Sequence, residues 1–348
     1  MLTRLNPRGG TLSGGNQRGF SVTRWGTLLG RGLAQILFQT GVPTGVLTLA
    51  AMAVADWRMG VLALLGAASS MQASALLRVP EALVREGQQG FCGALVGAAA
   101  FSLLAARPLA FLVAIVGGAA CAPLTALVRR LFGLPVLKQF RLPPTTAPFC
   151  TVAVGMYWLT SGSHADADAG AAAGLAVGAA RAAGDPMNVS AAAAFWRSIL
   201  TNISEVVFAN SVPAGALILA ALFLAGWRVG AAALLGSAVA SLFALATHQD
   251  TAELGRGLLG YSPVLTAIAL ATVFLPGRWV PWVLALAGAI LTAWVTLLMH
   301  ALPGPVFTWP YILCTWLMLV AARLAANRLA RQTRLAGRLR GPAEPVRR

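Results

Sequence analysis

Three pairs of positions carry side chains able to handle a small polar solute in an apolar setting. Gln35 opens the segment QILF and Glu205 opens EVVF; each segment ends in an aromatic, Phe38 or Phe208, and Val206 follows the carboxyl. Of the ten acids, Glu205 is the one set deep among apolar residues, whereas Asp56, Glu81, Glu86, Asp250 and Glu253 fall at the ends of apolar runs. A carboxyl so placed is costly unless it lines a polar cavity, so it is a functional candidate. Phe91 and Tyr261 each precede a leucine by four residues, Leu95 and Leu265, which puts ring and leucine on one helix face. Gly90 and Gly260 stand just before them, where the missing Cβ allows a tight backbone entry. Finally, PPTTAPF at 143–149 and PVFTWPY at 305–311 both read P-x-x-T-x-P-[FY]. The prolines free backbone groups around Thr146 and Thr308, leaving hydroxyl and carbonyl acceptors. Acceptor oxygens between flat apolar walls serve binding and passage, and no nucleophile, base and orienting acid come together as an enzyme would need.

The elements that must position these residues are membrane spans. Of 348 residues 58% are hydrophobic and 10% charged, and the mean hydropathy is +0.75. Apolar windows measured against the roughly 20 residues needed to cross a bilayer fall near 33–55, 59–77, 91–106, 109–128 and 146–160, and again near 203–226, 229–247, 261–275, 279–300 and 308–325. The third of each set is short and follows a polar, Gly-rich stretch, REGQQG or GRGLLG, as broken or re-entrant elements do. The sequence also repeats itself at an offset of 170: Phe38, Pro43, Gly45, Trp57, Gly66, Gly90 and Leu95 recur as Phe208, Pro213, Gly215, Trp227, Gly236, Gly260 and Leu265. Five crossings per copy is an odd number, so the second copy enters from the opposite side. The expected fold is an all-α integral membrane protein of about ten transmembrane helices, arranged as two inverted five-helix repeats, each with a short broken or re-entrant helix.

This organisation divides the chain into a basic cytoplasmic tail (1–32), a first membrane repeat (33–160), an outer hydrophilic linker (161–194) carrying Asp166, Asp168 and Asp185, a second repeat (195–325) and an Arg-rich cytoplasmic tail (326–348). Ten crossings with both termini inside place 21 of the 26 Lys and Arg on the cytoplasmic face, leaving Arg58, Arg107, Arg181, Arg197 and Arg256 outside. The +16 charge therefore reports orientation and contact with anionic lipid, and the basic residues form no nucleic-acid patch. No apolar core with a small-residue cleavage site separates the basic start from the first span, so no cleaved signal is expected. Cys92, Cys121, Cys150 and Cys314 lack metal or disulfide spacing and read as small core residues. His164, His248 and His300 sit at span ends with no partner at ligand spacing. No phosphate-binding loop is present, the one lysine is Lys138, and no cofactor is indicated.

Taken singly, the aromatics could be core packing, the threonines could satisfy backbone beside proline, and Gln35 and Glu205 could be interhelical glue. Their paired recurrence argues otherwise, and at this point the chain resembles the urea transporters. In that family each half carries Q-V-x-F or E-V-x-F, then G-[FY]-N-[GA]-x-L, then L-P-x-x-T-x-P-F. The likeness covers most of residues 25–325, with Ile36 for valine, Cys92 and Ser262 where the family has asparagine, and Pro263 after the latter. The resemblance implies a homotrimer with one pore per protomer, carrying urea passively across the bacterial inner membrane. It assigns Gln35 and Glu205 with Phe38, Phe91, Leu95, Val206, Phe208, Tyr261 and Leu265 to two planar slots, and Thr146 and Thr308 to the narrow midpoint. The alternatives are a pore of the same build for another small amide, amine or ammonia, a proton-coupled carrier with Glu205 as its titrating group, and a membrane sensor that binds solute without passing it.

Overall fold

The computed structural model describes residues 22–80, 83, 86–161 and 190–339, and all regular structure among them is helical. The first half comprises α1 (Val22–Gln35), α2 (Val42–Ala55), α3 (Trp57–Leu76), α4 (Phe91–Leu104), α5 (Pro108–Phe132), the single turn α6 (Pro135–Lys138) and α7 (Ala147–Leu159). The second comprises α8 (Ala191–Ser204) with a 3₁₀ turn over Glu205–Val207, α9 (Val212–Ala225), α10 (Trp227–Ala246), α11 (Thr251–Arg256), α12 (Tyr261–Ile268, continued as a π-helix over Ala269–Phe274), α13 (Val280–His300) and α14 (Trp309–Leu339). Five helices, α3, α5, α10, α13 and the Trp309–Gln332 part of α14, are long and apolar enough to cross a bilayer, or six if α8 and α9 count as one bent span. The protein is thus a multi-pass, all-helical membrane protein. Most of the expected linker, with Asp166, Asp168, Asp185 and His164, lies outside the described residues, as do residues 1–21 and 340–348.

The expected first crossing of each half is interrupted. Helix α1 starts at Val22, inside the stretch read as a tail, and stops at Gln35; α2 restarts at Val42, with Pro43 in its first turn. In the second half the axis turns by 78° between Val207 and Val212. The cause is the same in both. Phe38 and Phe208 adopt left-handed backbone, φ 61° and 63°, and close a Schellman cap. The Phe38 N–H donates to Gln35 O and the Gln39 N–H to Ala34 O, just as Phe208 donates to Glu205 O and Ala209 to Ser204 O. This position usually belongs to glycine. A side chain there costs about 1–3 kcal/mol and persists where the surroundings over-determine it.

The backbone recurs in finer detail. Helices α2, α3 and α4 begin and end 170 residues before α9, α10 and the combined α12 and π segment. Left-handed residues pair as Arg78 with His248, Gly87 with Gly257, and Thr145 with Phe307. The left-handed turns before α4 and α12 are made by Gly87 and Gly257, φ 80° and 78°, while Gly90 and Gly260 keep right-handed backbone, and at Gly260 a Cβ would strike the Asn202 amide. Close helix approaches recur as well. A Cβ on Gly45 would strike Gly30 O and one on Gly215 would strike Leu200 O; Gly66 meets Gly93 O as Gly236 meets Pro263 O. In lipid, where apolar burial does not drive helices together, such small-residue contacts carry much of the packing. Pro263 falls in the first turn of α12, where its missing N–H has no intrahelical role, so α12 still begins level with α4. At 14 residues, about 21 Å of helix, α4 is short of a hydrocarbon core about 30 Å thick.

The halves meet along α2 and α9, and again where α7 touches α14. Each of these contacts joins an element to its own counterpart, as happens at a twofold axis.

Candidate functional site

Helix α1 delivers Gln35 at its last residue, and the Gln35 amide donates through Nε2 to Glu86 O at 3.0 Å. Tying the NH₂ to a carbonyl fixes the amide so that Oε1 remains as the acceptor. Gln35, Phe38, Phe91 and Thr146 line one cavity of about 290 Å³. Glu86, Gln88 and Arg129 share its wall, and Phe274 of the second half contributes a further ring. Leu95 is buried in the core on the same helix as Phe91.

The second set is enclosed. Glu205, Val206, Phe208, Tyr261 and Leu265 are all at most 5% exposed. Glu205 Oε2 is buried with no hydrogen-bond partner, as is Asn210 Nδ2. Leaving such acceptors and donors unmade is expensive, of order 1–3 kcal/mol each and more for a charge. Tyr261 does not present a bare ring edge: its hydroxyl donates to Phe307 O at 2.6 Å, a carbonyl turned by the left-handed backbone of Phe307. The equivalent carbonyl of the first half, Thr145 O, lies 4.0 Å from Cys92 Sγ, the residue after Phe91. One acceptor type thus meets a phenol in one half and a thiol in the other.

Between the sets the two halves touch through matched pairs. Phe38 packs edge-on against Tyr311 at 5.9 Å and 62°, and Phe208 against Phe149 at 6.0 Å and 63°. Since Phe149 and Tyr311 end the two P-x-x-T-x-P-[FY] segments, each half's capping phenylalanine packs on the other half's motif. At the centre of this reciprocal arrangement Thr146 Oγ1 and Thr308 Oγ1 lie 2.7 Å apart, each 4% exposed or less. Thr308 Oγ1 is also 3.0 Å from Cys150 Sγ. Phe307 completes a cluster with Phe149 and Phe208, at 5.6 and 6.4 Å.

Of the expected residues, Gln35, Phe38, Phe91 and Thr146 line the cavity, Phe38, Phe208, Thr146 and Thr308 make the contacts between the halves, Tyr261 bonds to Phe307 O beside Thr308, and Leu95, Glu205, Val206 and Leu265 are buried in the core. Sequence reasoning passed over Phe149 and Tyr311, although both are letters of the motif that flagged the threonines. It read Cys150 as a plain core residue, and nothing in its surroundings along the chain distinguishes it. Arg129 and Gln88 looked like orientation charge and loop. His248 and His300 lie at the ends of α10 and α13, and no metal-holding group of His, Cys, Asp or Glu occurs among the described residues.

The pattern that defines the family described as "Urea transporter" matches residues 27–323. Among curated proteins, Urea transporter 1 of Rattus norvegicus is 25% identical over 298 residues, covering 83% of this chain and 75% of that protein. With both motif copies, the reciprocal aromatic pairs and a family match over most of its length, the chain belongs to the urea transporter family.

Proposed function

We propose that the chain conducts urea passively along the seam between its two halves. The observation that carries this is the exchange of equivalent contacts across the seam, Phe38 on Tyr311 and Phe208 on Phe149, centred on the Thr146 and Thr308 hydroxyls. Urea is flat and neutral, with four N–H donors and one carbonyl. Ring and leucine walls admit it edge-on and strip its water, and the acceptors then replace that water one by one: Gln35 Oε1, the two threonine hydroxyls and the Glu205 carboxyl. Because a buried hydrogen bond left unmade costs about 1–3 kcal/mol, a ladder of acceptors keeps the barrier low where a wholly apolar slot would raise it. On this reading Gln35, Phe38, Phe91 and Leu95 form one slot, Glu205, Val206, Phe208, Tyr261 and Leu265 the other, and the two threonines trade their mutual bond for bonds to the solute as it passes.

The same reading makes the halves an inverted pair of five crossings each, with α2, α4, α7, α9 and α12 as short spans packed inside the longer ones. Both termini then lie in the cytoplasm of a bacterial inner membrane, and protomers assemble as a lipid-embedded homotrimer with one pore each. The family match and the twofold pattern of contacts support it.

Stopped-flow light scattering of proteoliposomes tests the function: urea flux well above empty vesicles is expected, without any need for a pH gradient. Flux no faster than that of empty vesicles overturns it, and flux that requires the gradient favours the proton-coupled alternative.

A further inference from the structure

The acceptor-rich seam raises a problem of selectivity. Guanidinium has the planar trigonal shape of urea and only N–H groups, so the shape and donor pattern read by ring-walled, acceptor-lined slots do not tell the two apart. The discrimination beyond the desolvation cost of any ion must come from charge. Shape cannot separate the two; charge can. The mouth of the first cavity holds a fixed cation suited to the purpose. Arg129, near the end of α5, lines the cavity half-buried and donates to Gln88 Oε1, while the Gln88 amide donates through Nε2 to Glu86 Oε2 at 2.7 Å. The amide of Gln88 thus spaces the two charges, with the exposed carboxyl of Glu86 beyond it and the half-buried guanidinium of Arg129 inside. A charge in water is screened within about 8–10 Å, whereas one set in a low-dielectric wall is felt more strongly. The inner, positive member therefore dominates the potential met by an entering solute.

The Arg129 Nε–H is buried without a partner, and the second half builds the same loop with Leu258 where the first has Gln88. Matching the buried faces of α5 and α13, Ala110, Ala114, Cys121 and Thr125 on Pro281, Ala285, Thr292 and Thr296, sets His300 opposite Arg129, so the guanidinium with its Gln88 and Glu86 partners belongs to the first half alone.

We propose that Arg129, positioned by Gln88 and Glu86, is a specificity-determining residue that turns planar cations of urea's shape away at the mouth of the first slot. This rests on the urea-conducting reading above.

The test compares guanidinium and urea permeability of the purified full chain in neutral-lipid vesicles for the wild type, Arg129→Gln, Arg129→Lys and Glu86→Gln. In Arg129→Gln the guanidinium-to-urea ratio is expected to rise about tenfold, with urea flux changed less than about twofold. Arg129→Lys should keep the low ratio, and Glu86→Gln should lower it further. In the wild type the ratio should climb as salt rises from low to high ionic strength, because screening weakens a charge barrier and leaves a steric one untouched. An unchanged ratio in Arg129→Gln with urea flux intact overturns the assignment. If that variant fails to insert, a ratio indifferent both to salt and to Glu86→Gln overturns it equally. Wild-type vesicles that pass no urea would instead remove the transport reading on which the filter depends.

Discussion

In the second half, Asn202 donates through Nδ2 to Ser237 Oγ and Ser241 Oγ, both at 3.0 Å, while Ser198 and Ser241 share a bond of 2.7 Å and Ser237 donates to Ile199 O. At the same places in the first half stand Leu28, Gly32, Ala67 and Met71, all apolar. One turn away the chemistry is exchanged. Ser70 and Ser74 of the first half donate to Gln89 O and Gln89 Oε1, where the second half has Ala240, Ala244 and Leu259. Two halves with one backbone thus place their polar clusters at different levels of the same helix packing. What they hold in common is narrower: left-handed Phe38 and Phe208, the glycine contacts, and the threonine pair. Side-chain chemistry away from the seam is free to vary; seam geometry is not.

The halves also differ in access, since Gln35, Phe38 and Phe91 border a cavity while Glu205, Phe208 and Tyr261 are shut in. The largest expected effect follows from this. Glu205→Ala removes the acceptor from the enclosed half, where water cannot substitute, and should cut urea flux by roughly tenfold or more, as losing a buried hydrogen bond of about 1–3 kcal/mol implies. Gln35→Ala, in the half that borders the cavity, should cost only about threefold, because water can replace the amide oxygen. Glu205→Gln gives the second half the chemistry of the first and should retain most of the flux. Equal losses in the two alanine variants, measured by stopped flow, would break the contrast in access.

A smaller difference is expected at the centre. Thr308 Oγ1 lies 2.7 Å from Thr146 Oγ1 and 3.0 Å from Cys150 Sγ, and so joins the two. Thr308→Val should therefore lower flux several-fold, and Thr146→Val by less, with both variants still inserted. The reverse order would mean that Cys150 has no part in orienting the hydroxyl.

Much of this seam was legible in the sequence because the chain states it twice. Recurrence of Phe38 as Phe208 and of Thr146 as Thr308 singles these residues out from dozens of similar ones, and the structure brings them to one seam. Periodicity could not show the breaks after Gln35 and Glu205. Polar and helix-breaking residues do interrupt the apolar run there, Gln39, Thr40 and Gly41 before Pro43 and Asn210 and Ser211 before Pro213, but a phenylalanine gives no hint of the left-handed backbone that glycine would have signalled. Arg129 was missed for a related reason: an arginine at a span end is what orientation alone requires, and its neighbour Gln88 is 41 residues away along the chain. The threonines are 162 apart and not 170, because the segments before them differ in length, so it is the shared motif and not the fixed offset that pairs them.

The exchange of polar clusters predicts its own stability ranking. Asn202→Leu removes an amide with bonds to two serines, and the new branches press on Gly260, where even a Cβ would collide with the native amide. It should cost about 1–3 kcal/mol, seen as a lowered unfolding midpoint in detergent. Gln89→Leu, which copies the second half into the first, leaves Ser70 on the backbone carbonyl of residue 89 and Ser74 on Ser70 O, so its cost should be about 1 kcal/mol or less. Smallest of all should be the complete transplant Ser198→Leu, Asn202→Gly, Ser237→Ala and Ser241→Met. It imports a packing solution that the first half already uses on the same backbone, and replacing every member of a polar cluster with apolar groups strands no partner. A transplant less stable than Asn202→Leu alone would show that the halves differ in helix spacing at this level as well as in side chains, since Met71 would then need room that the second half does not have.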